Sequence, residues 1–138
     1  MFQRRLQKGF ATLEVILMIM VIGILASIAV PRFTSVTTSA NTAKIQSDLA
    51  TIDTAIAIYY MEKGTYPTTF PTDLEDYLQD ADKIKPPTGK AYINGTATEI
   101  KETSYSFKTD SNGEKRAALD GHTAGEFTSK SNGTSGNG

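Results

Sequence analysis

The chain has 138 residues, with 14 Lys and Arg against 15 Asp and Glu and no cysteine. That length holds one small domain plus an N-terminal segment, and the missing cysteine excludes disulfides and thiolate metal sites. The net charge of −1 hides an asymmetry: without Arg4, Arg5 and Lys8 the rest carries −4, which argues against a generally basic nucleic-acid binder.

In chain order, the basic leader meets Gly9, and an apolar run of 21 residues follows from Phe10 to Val30. As a helix rising about 1.5 Å per residue, it spans roughly one bilayer core. The basic flank predicts a single pass with the N-terminus in the cytoplasm. Glu14 is the only charge in the run, and a carboxylate at that depth is costly enough to need a reason. An ordinary signal peptide, cut near Ser27-Ile28-Ala29, leaves Glu14 unexplained, and so does a plain membrane anchor. Pro31 donates no backbone hydrogen bond and Gly23 weakens the helix before it, so a kink is expected there.

Beyond Pro31 the pattern becomes amphipathic. Ile45, Leu49, Ile52, Ile56 and Tyr59 form a helical stripe. Phe33, Val36, Ala40 and Ala43 are expected to continue it upstream. Gly64 and Pro67 stop the helix. Thr72-Asp73-Leu74-Glu75 reads as the capping box of a short helix near 73–80. Strand candidates follow at 91–93, 96–100, 104–108 and 115–119, with hairpin turns at Asn94-Gly95 and around Asn112-Gly113. They predict an antiparallel meander of three or four strands laid on the helix, an α+β fold. Thr128 to Gly138 carries no apolar residue and is expected to be loose.

Some residues invite chemical readings. Asp110, Asn112 and Glu114 faintly resemble a calcium loop without its full ligand spacing, and a polar hairpin turn explains them as well. Lys83, Lys85 and Lys90 beside a proline loop could touch DNA phosphate, or form a solvated face. Tyr59, Tyr60 and Tyr66 could bind a partner or pack internally. Asn94-Gly95-Thr96 and Asn132-Gly133-Thr134 match the glycosylation acceptor pattern. The lone His122 reads as a solvated loop residue. No nucleophile–base pair or phosphate-cradling loop appears, so no enzyme is expected.

Lys8-Gly9-Phe10, with Glu14 fifth from Phe10 and the apolar run behind it, resembles the class III leader of type IV pilins and type II secretion pseudopilins. The usual order after the phenylalanine is Thr-Leu-Ile/Val-Glu; here Ala11-Thr12-Leu13-Glu14 keeps the glutamate spacing. The resemblance implies a prepilin, cleaved between Gly9 and Phe10 by a prepilin peptidase that also N-methylates Phe10. It implies that Glu14 pairs with the new amine of Phe10 between subunits and sets their register, and that the helix near Pro31 can unravel in a filament. Implied partners are many copies of the chain itself, an assembly ATPase, a membrane platform protein, the lipid bilayer and, for a competence filament, DNA. The resemblance to major pseudopilins also suggests calcium near the C-terminal end of the sheet, adding Asp120 to the candidates; no other cofactor is expected. The expected division is a cleaved leader (1–9), a membrane or filament-core half-helix (10–31), an amphipathic half (32–63), an α+β head (64–127) and a tail (128–138). The expected function is a major pilin in a filament for adhesion, motility or DNA uptake, outside the cell or in the periplasm. The alternatives are a major pseudopilin and a tethered or secreted binding module that never polymerises. The Asp-Pro-Trp-Gly-x-Pro-Tyr motif usual in major pseudopilins survives only in outline, as Pro86-Pro87-Thr88-Gly89-Lys90-Ala91-Tyr92.

Overall fold

The computed structural model describes residues 2–129. The expected tail falls outside these residues after Ser129, as do the side chains of the leader. The chain divides into two compact units, residues 1–36 and 37–138. One helix, α1 (Phe2–Lys63), runs through both and starts within the leader rather than near Phe10. Its assignment continues unbroken past Gly23 and Pro31. It ends where expected. Gly64 takes φ 71°, and its N–H closes on the Tyr60 carbonyl at 2.8 Å, the left-handed stop that glycine adopts without strain.

In the first unit, residues 10–30 expose apolar side chains on every side of the helix, Leu13 and Val30 at 58% and 62% for example. The segment is long and apolar enough to cross a membrane. It has the length and composition of a single-pass anchor.

The second unit is the head. Ile45, Leu49 and Ile52 are fully buried and Ile56 nearly so, as the stripe predicts. Upstream the buried face differs from expectation. Ala40 and Ala43 are exposed, and Thr38 and Thr42 take the buried positions. A threonine can be buried there because its hydroxyl finds partners: Thr42 Oγ1 donates to the Thr38 carbonyl at 2.7 Å and accepts the Tyr92 N–H at 2.8 Å.

Leu74, Leu78, Ala81, Ala91, Ile93, Tyr105, Ala117, Leu119 and Phe127 cover the stripe. The helix expected near 73–80 is instead two 3₁₀ turns, Thr72–Leu74 and Ala81–Lys83, joined by turns. The Asp73 carboxylate accounts for the difference. It turns back to accept the N–H groups of Thr68 and Thr69 at 2.6 and 2.9 Å, so it builds a turn rather than a helix. Leu74 and Leu78 are buried as expected, with Tyr77 half-buried.

Four strands form, β1 (Lys90–Ile93), β2 (Thr96–Glu99), β3 (Ser106–Thr109) and β4 (Lys115–Ala118), but as two separate antiparallel hairpins, β1–β2 and β3–β4. The expected continuous meander fails between β2 and β3. There the backbone N–H groups of Lys101 and Glu102 bond the Asp120 carboxylate at 2.9 Å each, so they are not offered to a strand. A last 3₁₀ turn, Ala124–Glu126, carries a capping box between Thr123 and Glu126. Phe127 follows, fully buried.

Candidate assembly surface

The surface begins at Phe10 and Glu14. They stand four residues apart on α1, on one face of the helix, and both are exposed in the single chain. Among the described residues Glu14 makes no ion pair. Attraction between unit charges about 4 Å apart is roughly 4 kcal/mol at an effective dielectric of 20. That is comparable with the roughly 2.5–3.5 kcal/mol cost of an acidic residue at mid-membrane. A cation brought to Glu14 would therefore offset its burial.

In the head, the outward side of α1 is also unusual. Ala40, Ala43, Ser47, Ala50, Thr54, Ala57, Ile58 and Met61 follow one another at helical spacing, and all are exposed. A solvated helix face normally carries charge, and this line has none. The charged residues of the same stretch, Lys44, Asp48 and Asp53, are turned to the head.

These charges act as clamps. Asp48 accepts from the Tyr105 hydroxyl at 2.6 Å and pairs with Lys44 at 2.5 Å. Burial, and then Asp48, push the Tyr105 hydroxyl far above its ordinary range. Asp53 takes Arg116 at 2.9 Å and the Ala117 N–H at 2.7 Å; its hydrogen bond raises the Arg116 guanidinium further. At the end of the helix Glu62 accepts from the Tyr77 hydroxyl at 2.6 Å, which pushes that tyrosine up to about 12. Gln46 Nε2 donates to the Phe127 carbonyl. The rest of the head is thus bonded to one side of α1 from Thr42 to Glu62, and the other side of that stretch is left uncharged.

The remaining candidates fall in scattered places. Asp110 Oδ1 accepts the N–H groups of Asn112 and Glu114, at 2.8 and 3.0 Å, in the β3–β4 turn. Asp120 lies beyond the other end of that hairpin, holding Lys101 and Glu102. Among the described residues no three Asp, Glu or His side chains converge as a metal set. Lys83 pairs with Asp80 at 3.1 Å, and the Lys85 carbonyl accepts from Lys44. Tyr59 meets Tyr77 edge-on at 5.5 Å, and Tyr60 stacks on Tyr66 at 4.3 Å. Asn94 is exposed in its hairpin turn; Asn132 lies outside the described residues.

His122 is not simply solvated. It is half-buried, bridges to Leu119 in an antiparallel pair, and sits 3.1 Å from Glu126. Burial alone would raise Glu126, but the Thr123 N–H and His122 outweigh it and hold the carboxyl below its usual range. The Thr123-Ala124-Gly125-Glu126 capping box escaped sequence reading although its spacing is the one that marks a helix start.

No family model matches the chain, and no solved structure matches it. Curated proteins do. The type II secretion system core protein G of Aeromonas hydrophila is 39% identical over 67 residues, 49% of this chain and 47% of that protein. The same protein of Vibrio cholerae is 35% identical over 69 residues, 50% and 47% of the two chains. The type IV narrow pilus major component PilA5 of Thermus thermophilus is 41% identical over 61 residues, 44% of this chain and 53% of that protein. The chain thus matches about half the length of these curated relatives. Their names describe a core protein of a secretion system and a major component of a pilus. The apolar-to-amphipathic helix, the α+β head and these relatives support the superfamily of type IV pilins and type II secretion pseudopilins.

Proposed function

We propose that the chain is the major structural subunit of a type IV pilus-like filament. It enters the cytoplasmic membrane as a prepilin with its N-terminus in the cytoplasm and loses residues 1–9 to a prepilin peptidase. Cleavage after Gly9 leaves a free amine on Phe10, methylated by the same enzyme, as the missing cation for Glu14 of a neighbouring copy. An assembly ATPase and a membrane platform protein drive polymerisation. The 10–31 half of α1 bundles in the filament core, with Gly23 and Pro31 giving it a bend, and the 64–127 head faces outward. The filament serves adhesion, motility or DNA uptake.

The observation that carries this reading is Glu14, unpaired among the described residues and the only charge between residues 10 and 30 of α1. N-terminal sequencing of the mature protein tests it: Phe10 at the terminus is the expected result, and intact Met1 overturns it. Glu14→Ala should insert in the membrane normally and yield little polymer. Wild-type polymer yield from that variant would remove the role of the charge pair. A secretion pseudopilus is the second reading, favoured by the relatives from type II secretion systems. Filaments sheared from the cell surface favour the pilus; their absence beside a working secretion system favours the pseudopilus. A mature protein that begins at Phe10 but stays monomeric in the membrane would be a tethered binding module instead.

A further inference from the structure

Within the head, a cleft of about 390 Å³ opens beside the C-terminal end of α1, where Tyr60, Met61 and Tyr66 meet Glu114 and Arg116. The Tyr60 and Tyr66 rings stack with centroids 4.3 Å apart. Met61 is 84% exposed, more than any other large apolar side chain described. Stacked aromatic faces with an adaptable thioether suit a proline-bearing extended segment, whose backbone is already fixed before it binds. Arg116 is held by Asp53 and Lys115, also in the lining, donates to the Pro67 carbonyl at 2.9 Å, whereas Glu114 makes no ion pair among the described residues and offers the cleft a carboxylate.

A segment of that chemistry lies at the other end of the same head. Lys85-Pro86-Pro87 is tied to α1 on both sides. Lys44 donates to the Lys85 carbonyl at 2.8 Å, and Asn41 Nδ2 donates to the carbonyls of Thr88 and Lys90 at 3.1 and 2.9 Å. The side chain of Lys85 is exposed, the prolines are half-exposed, and Lys85 makes no ion pair among the described residues. The loop's anchors and the cleft stand roughly 20 Å apart along the helix at 1.5 Å per residue. Loop and cleft of one head therefore cannot meet. Two different patches that fit each other make a head-to-tail contact, which repeats without closing when the operation includes a translation.

We propose that the Tyr60–Met61–Tyr66 cleft of one head receives the Lys85-Pro86-Pro87 loop of a second copy, with Lys85 against Glu114. This rests on the filament reading and supplies it with a contact between heads, separate from the membrane half of the helix. Because the chain has no native cysteine, a full-length Met61→Cys, Lys85→Cys double variant tests it directly. In polymer-bearing membranes, a short bis-maleimide should join the double variant into dimers, trimers and higher rungs and leave each single variant monomeric. Normal sedimentable polymer from the double variant without a ladder overturns the contact and spares the filament reading. Crosslinked dimers from either single variant also overturn it, since they need a symmetric contact. Wild type that never sediments as polymer overturns both readings. Independently, Glu114→Lys and Lys85→Glu should each lower sedimentable polymer several-fold, and combining them should recover most of it. Losses that add without recovery count against the pairing.

Discussion

Replacing Phe127 with alanine should remove the part of the head that seals the helix stripe. The ring is fully buried and meets His122 edge-on at 6.3 Å. Burying an aromatic side chain removes on the order of 150–250 Å² from water, which at about 25 cal/mol per Å² is worth about 4–6 kcal/mol. Measured Phe→Ala costs of about 3–5 kcal/mol agree. The Gln46 bond goes to the Phe127 backbone carbonyl and survives the substitution, so the loss reports the ring alone. For a head of this size each kcal/mol lowers the melting temperature by about 4–8 °C, so a fall of about 15 °C or more is expected. The assay is a thermal melt of the full chain in detergent, followed by near-ultraviolet circular dichroism from the head's tyrosines. Phe127→Leu should recover most of the loss, because an apolar side chain of similar volume fills the site. A fall below about 5 °C for Phe127→Ala would show that the ring is not part of the core and that the reasoning about closure is wrong.

Four further outcomes are expected. Asp53→Asn keeps an oxygen for the Ala117 N–H but loses the charge facing Arg116; it should cost about 1–2 kcal/mol in denaturant unfolding, and less at high salt. Thr42→Val should destabilise the head by about 1–3 kcal/mol by leaving the Tyr92 N–H without its acceptor, while Thr42→Ser should unfold close to wild type. On raising pH, Tyr77 has a folded value of about 12, above its unfolded 10. Its contribution is therefore full below pH 10 and lost as pH climbs toward 12, and Tyr77→Phe should remove that late step in absorbance at 295 nm. On lowering pH, the Thr68 and Thr69 N–H groups hold Asp73 below its usual value, and Glu126 is also depressed. Both support the head above the ordinary carboxylate range and cease to do so as pH falls through their lowered values. Acid unfolding should shift upward in pH for Asp73→Asn, and an unchanged transition would show that the Thr68–Asp73 turn adds nothing.

The sequence made the helix legible because its evidence is repeated many times. The stripe from Ile45 to Ile56 recurs at a fixed period, and the stop at Gly64 follows from a conformation that few other residues accept. Where one side chain decides among several partners, the pattern was silent. Nothing in Thr72-Asp73-Leu74-Glu75 says that Asp73 turns back to Thr68 instead of supporting a helix. Counting apolar residues sends the buried face through Ala40 and Ala43, because burial of Thr38 and Thr42 depends on bonds to atoms distant in sequence, such as the Tyr92 N–H. The division into two hairpins likewise turns on Asp120, 18 residues beyond the Glu102 N–H that it holds. At the candidate assembly surface, Glu14 stands out as the only charge in its apolar run, and Gly9 and Phe10 through the resemblance to the class III leader. The uncharged outer line of α1 emerges only once Lys44, Asp48 and Asp53 are seen to be engaged with the head.

Gln46 and Phe127 are joined across 81 positions of the chain, and this fixes the order in which the molecule can mature. The helical strip that needs covering leaves the ribosome early, and its last cover arrives only when residue 127 has been made. Until then the oily side of the newborn helix has no permanent shelter, and closing so long a loop is slow. Synthesis should therefore finish before the head does, and any factor that escorts the young chain would need to let go after Phe127 has docked.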